Sequence, residues 1–182
     1  MRVATTKLPG VLLIEPHVIR DGRGYFAEAW HDERYAEAGV PGPFVQENLS
    51  VSTRGVLRGL HLQVEPHAQA KLVTVLAGVV WDVVVDVRLA SPGFGQWEAH
   101  RLTSTPLRQL YVPRGFAHGF AVLSDEALVT YQCTAHYRPE AERTLLWNDP
   151  DLAIEWPFDE PILSDKDGAG LRLQELFGPE PR

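Results

Sequence analysis

The stretch VVWDVVVDV, residues 79–87, alternates with period two, sending Trp81, Val83, Val85 and Val87 to one face and Asp82, Val84 and Asp86 to the other. A valine-rich run with this period is a strand. One apolar face and one mixed face is the pattern of a jelly-roll sheet, packed on one side and turned towards a cavity on the other. The two carboxylates leave a second reading open, in which the mixed face is simply solvated.

Strand signals continue on both sides of this run. FVQENLSV (44–51), VLRGLHLQ (56–63), AKLVTVLAG (70–78), WEAHRLTS (97–104), RQLYVPRGFAHGFAVLS (108–124) and ALVTYQCTAHY (127–137) are separated mostly by Gly, Pro, Ser, Thr and Asp. Many short strands with little helix between them make a sandwich or barrel rather than a βαβ fold. Nearer the N-terminus, VLLIEPHVI (11–19) reads as a strand with Pro16 at an edge or bulge, DGRG (21–24) as a turn and YFAEAW (25–30) as another strand. HDERYAEAG (31–39) is the clearest helix, with Asp32 and Glu33 in its first turn and Gly39 as its stop. Beyond residue 138 the strand rhythm is lost. Trp147, Trp156 and Phe158 there predict a tail that packs onto the body and carries Asp165 and Asp167 to a cavity mouth, and GLRLQELF (170–177) reads as a short outer helix.

The 182 residues predict a single domain able to bury its own core. One cysteine, Cys133, rules out an internal disulfide framework and fits a reducing compartment. The apolar run near the N-terminus is short and lacks a cleavage site, and no stretch approaches 18 uninterrupted apolar residues, so a cytoplasmic protein without a membrane partner is expected. Seventeen basic against 24 acidic residues, a formal charge of -7, argue against nucleic acid as a partner. A local positive pocket for a small anion remains compatible with that balance.

The most polar of the strand-like segments is QENLSVSTRGVLRGLHLQVEPHAQAKLVTV, residues 46–75, which sets Arg54, Arg58, His61, His67 and Lys71 among short apolar runs. Burying such groups unpaired is costly, which suggests a lined cavity, although alternating strands with a solvent face give the same letters. GxGxxG, a P-loop lysine motif and GxSxG are missing. An HxH metal pair is broken because Gln63 stands two residues after His61. A histidine without a metal suits acid-base work, Tyr131 in TYQCT could return a proton from the opposite side, and Lys71 could offset charge developing on oxygen. Each also reads as an ordinary structural residue: a hydrogen-bonded core histidine, a core tyrosine and an edge-strand lysine.

GVLRGLHLQ, AQAKLV, VVWDVVVDVR, SPGFGQW, RQLYVPRGFAHGF, TYQCTAHYRPEAER and LSDKD together resemble the dTDP-4-dehydrorhamnose 3,5-epimerase family, over roughly residues 10–170. The resemblance implies an all-β, cupin-like double-stranded β-helix with short peripheral helices. It implies a homodimer whose residues 1–30 form strands at the dimer interface, while residues 138–182 pack over the barrel. By motif matching, His61 is the catalytic base, Asp167 (or, as the weaker match, Asp165) its dyad partner, Tyr131 the proton donor and Lys71 the residue near the C4 keto oxygen. Arg58, His118 and Tyr137 match positions around the sugar and diphosphate. Arg23, Phe26, Glu28, Gln46 and Asn48 match nucleotide or phosphate contacts, some lent across the dimer. The family implies a dTDP-sugar substrate, dTDP-4-dehydro-6-deoxy-D-glucose, inverted at C3 and C5 with neither cofactor nor metal. A C3-only or C5-only epimerase on a related sugar, and a noncatalytic sugar-nucleotide-binding cupin, are the alternatives. Glu47, Leu49 and Val51 depart from the family's usual letters, where ligand choice stays open.

Overall fold

In the computed structural model, which describes residues 1–177, β-branched and aromatic alternation produces thirteen short strands. They are β1 (Arg2–Thr5), β2 (Leu12–Glu15), β3 (Val18–Asp21), β4 (Gly24–Ala27), β5 (Gln46–Thr53), β6 (Leu57–Gln63), β7 (Lys71–Ala77) and β8 (Val79–Asp86). The remainder are β9 (Trp97–Thr103), β10 (Gln109–Val112), β11 (Phe116–Val122), β12 (Glu126–Cys133) and β13 (Glu142–Thr144). Helix α1 (Asp32–Glu37) follows β4, and one-turn helix α2 (Asp165–Gly168) follows β13.

Two antiparallel sheets face each other, one ordered β1-β2-β10-β7-β12-β5 and the other β13-β6-β11-β8-β9, while β3 and β4 form a separate hairpin. This is the expected all-β jelly roll. Val73, Val75, Val80, Val84, Leu110, Phe116, Phe120 and Val129 fill the space between the sheets. Each such side chain contributes about 1.5–3 kcal/mol by leaving water.

Both outer faces are covered as well. Under α1, Tyr35 and Val40 pack on Leu72 and Tyr111 of the six-stranded sheet, and the Tyr35 hydroxyl donates to Gln109 Oε1 at 2.8 Å. On the five-stranded sheet, Trp81, Val83, Val85 and Val87 turn outwards, against Leu152, Ile154, Trp156, Leu173 and Leu176 of the C-terminal segment. The C-terminal segment lies on this sheet as far as Leu176, and residues 178–182, the end of the tail, lie outside the described residues. The solvated reading of Asp82 and Asp86 is overturned, since both are fully buried. Asp82 points between the sheets to His118, and Asp86 accepts from Arg88 and Ser91.

Three local expectations need correction. Pro16 ends β2, so residues 11–19 supply two strands rather than one. The turn at Pro113–Gly115 divides residues 108–124 into β10 and β11, which sit in different sheets. Residues 170–177 form a bridge and turns instead of a helix: Leu171 is tied to Leu145, and Leu173 donates its N–H to buried Asp149 at 2.7 Å. Anchoring this segment to the sheet side chain by side chain wins over its weak helical period.

Candidate active site

A cavity of about 460 Å³ opens between the two sheets. Its first wall is the five-stranded sheet. In β6, Leu60 and Leu62 point to the outer cluster, so strict alternation turns His61 inwards. Arg58 lies three residues earlier, and a regular strand would put it on the opposite face. A β-bulge resolves the conflict, because His118 of β11 pairs with His61 while Phe120 pairs with Arg58. The bulge needs glycine. Gly59 has φ 128°, and a Cβ there would lie 2.5 Å from Gly119 Cα. Arg58 and His61 consequently both line the cavity.

His61 Nε2 lies 2.6 Å from Asp167 Oδ1. Asp167 is delivered by α2, whose N-cap Ser164 accepts from the Asp167 N–H and donates its hydroxyl to Asp167 Oδ2 at 2.7 Å. Burial alone disfavours ionisation of Asp167, but hydrogen bonds from His61, Ser164 and the Gly59 N–H outweigh it and hold the carboxyl below its usual range. Asp165, the weaker match, is an exposed first-turn residue of α2.

The second wall is the six-stranded sheet. Lys71 and Tyr131 point inwards from β7 and β12, in line with the core residues Val73 and Val129. The Lys71 ammonium donates to the His61 carbonyl oxygen at 3.3 Å and sits 5.9 Å from the centre of the Tyr131 ring. Burial pulls the Lys71 pKa down. Burial likewise pushes the Tyr131 phenol up, with the Arg58 guanidinium working against that rise. Among the described residues the Tyr131 hydroxyl has no hydrogen-bond partner, so it is free to meet a ligand.

The rim ties both walls together. Gln46 Nε2 donates to Asn48 Oδ1 at 3.0 Å, and Gln46 Oε1 accepts from the Tyr137 N–H at 2.7 Å. Tyr137 donates its hydroxyl to Glu142, which also accepts from Lys166. Arg58 Nε donates to Ser52, leaving the rest of the guanidinium at the opening. Thus His61, Lys71, Tyr131, Asp167, Gln46, Asn48, Arg58, His118 and Tyr137 border one cavity.

Arg23, Phe26 and Glu28 do not reach it. They belong to the β3–β4 hairpin and the segment after it, where Arg23 pairs with Asp21 and Glu28 with Arg34. Ser164, Glu142 and Lys166 were missed as cavity residues, although the quoted YRPEAER and LSDKD segments contain all three. Gln63 is used structurally: its amide donates to the carbonyls of His67 and His136 and accepts from the Arg138 N–H. Among the described residues no three His, Cys, Asp or Glu side chains cluster as a metal site.

A family model described as dTDP-4-dehydrorhamnose 3,5-epimerase matches residues 5–175. The chain is 51% identical over 174 residues to a dTDP-4-dehydrorhamnose 3,5-epimerase of Shigella flexneri, covering 95% of this chain and 96% of that protein. It is 44% identical to a dTDP-4-dehydrorhamnose 3-epimerase of Streptomyces niveus, covering 96% and 85%. The crystal structure of a dTDP-6-deoxy-D-glucose-3,5-epimerase from Legionella pneumophila Philadelphia 1, in complex with dTDP-4-keto-L-rhamnose, superposes with a TM-score of 0.91 at 47% identity, covering 95% of this chain and 93% of that one.

Proposed function

The chain belongs to the dTDP-4-dehydrorhamnose 3,5-epimerase family, and from that premise we propose that the two walls of its cavity divide the proton transfers of the reaction between them. It is a carbohydrate epimerase that inverts C3 and C5 of dTDP-4-dehydro-6-deoxy-D-glucose to give dTDP-4-dehydro-L-rhamnose. The C4 ketone of this sugar acidifies the hydrogens on both neighbouring carbons. His61 takes one of them as an enolate forms, and Asp167 orients the imidazole and stabilises it once protonated. Lys71 offsets the charge that develops on the C4 oxygen. Tyr131 returns a proton to the opposite face, which inverts the centre, and repositioning of the ring presents the second carbon to the same pair. Protons and electrons balance within the sugar and these side chains, so the scheme calls on no redox cofactor.

The observation that carries this reading is the placement of His61 on one sheet and Tyr131 on the facing one. The test is solvent deuterium incorporation. Both C3 and C5 should become labelled, and His61→Asn should abolish exchange at both. Tyr131→Phe should impair net inversion more than exchange. Label at C3 alone would favour the single-centre reaction named for the Streptomyces niveus relative.

The diphosphate and nucleotide fall to Arg58, Gln46, Asn48 and Tyr137 at the rim, and to Arg23, Phe26 and Glu28 lent by a second copy, while His118, on the wall beside His61, falls to the sugar. A homodimer is supported by the hairpin standing off its own chain, with Phe26 69% exposed, and by the exposed Leu49 and Val51 on edge strand β5. No helix of the described residues is long and apolar enough to cross a membrane. A cytoplasmic location fits the lone buried Cys133 and a nucleotide-sugar substrate, and cell fractionation tests it.

A further inference from the structure

Asp82 is fully buried at the centre of β8, and its side-chain partner among the described residues is His118, whose Nε2 lies 2.9 and 3.0 Å from its two carboxylate oxygens. Keeping a carboxylate there is costly, and an apolar side chain at this position would avoid that cost. His118 lines the cavity beside His61, directly opposite it in the strand register. Its other ring nitrogen, Nδ1, makes no hydrogen bond among the described residues, yet is not sealed away as a buried unpartnered atom. It is open to the cavity. An ionised carboxylate only accepts, so a neutral ring beside it carries its proton on Nε2 and presents Nδ1 as a lone pair.

The rest of the cavity wall is rich in donors. Lys71, Arg58 and Tyr131 all offer hydrogens, whereas the carboxylates of Asp167 and Glu142 already accept from His61, Ser164, Tyr137 and Lys166. A hexose brings hydroxyl hydrogens that need acceptors once water has gone. We propose that Asp82 is a positioning residue that fixes His118 in its Nε2–H tautomer, so that Nδ1 accepts a hydrogen bond from a hydroxyl of the bound hexose. This rests on the epimerase reading for the identity of the ligand, but the tautomer can be measured without any turnover.

Nitrogen-15 NMR of the full chain with labelled histidine should show His118 protonated at Nε2 alone. A proton on Nδ1 alone, or on both nitrogens, overturns the proposal. Calorimetry with dTDP-6-deoxyglucose and its 2-deoxy and 3-deoxy counterparts reads the second half. At least one missing hydroxyl should weaken binding about 3- to 10-fold in the unsubstituted protein. In Asp82→Ala that preference should fall below about twofold, while affinity for dTDP itself stays unchanged within about twofold. A preference that persists in Asp82→Ala, or a parallel loss of dTDP affinity, overturns the positioning role. Should Asp82→Ala fail to fold, the tautomer of the unsubstituted protein decides. Failure of dTDP-6-deoxyglucose to bind would instead count against the epimerase reading.

Discussion

Lys71 and Asp167 flank the same histidine and bear opposite costs. The folded state lowers the Lys71 pKa from an ordinary 10.5, chiefly by burial, so its charge is disfavoured on folding. That penalty is present at neutral pH and disappears only above the unfolded value. Lys71→Met should therefore raise the melting temperature near pH 7 by about 2–4 °C, equivalent to about 1 kcal/mol, while epimerisation collapses; calorimetry beside turnover checks both. Asp167 has the opposite sign. Its folded pKa lies below the ordinary 3.8, so its contribution is complete above that value and is lost as pH falls through the folded one. Asp167→Asn should melt lower than the parent at pH 7, with the gap closing below about pH 4, and kcat should drop about 10²–10⁴-fold. At this scale the chemistry was legible: His61, Lys71 and Tyr131 are residue types whose protons suit an enolate. Motif matching favoured Asp167 over Asp165, and the cap of α2 is what turns Asp167 towards His61 while Asp165 stays exposed.

Strand periodicity placed most inward side chains correctly, and β6 is where it fails. Counting by twos puts Arg58 and His61 on opposite faces, and only the bulge brings them together. The signal was Gly59, a glycine inside a strand facing Gly119 in another. Gly59→Ala should cost about 1–3 kcal/mol from backbone strain alone, before the clash with Gly119 is counted. It should also raise KM as Arg58 is displaced. Gly168→Ala, which meets nothing within 4 Å, should leave the unfolding midpoint within about 0.5 kcal/mol of the parent and serves as the control. Unfolding curves of the pair test the bulge. The expected helix at residues 170–177 fails for a similar reason: long-range anchors at Asp149 and Leu145 decide the backbone there, and local period does not report them.

For the whole molecule the open element is the β3–β4 hairpin, which touches the rest of its own chain little. Phe26→Asp should leave thermal stability near that of the parent, weaken self-association in sedimentation equilibrium, and raise KM for the dTDP-sugar about tenfold or more. An unchanged KM with an unchanged sedimentation profile would remove the partner's hairpin from the site. Of the three atypical residues in β5, Leu49 alone borders the cavity; Glu47 accepts a hydrogen bond from Thr130. The β class and the helix at α1 were determined by the sequence by itself, because period and turn chemistry are local properties. Tertiary structure decided which wall each group stands on, that Asp82 faces inwards, and that a two-glycine contact turns Arg58 and His61 the same way. Those outcomes depend on how strands distant in the chain register against one another, and no window of neighbouring residues contains that information.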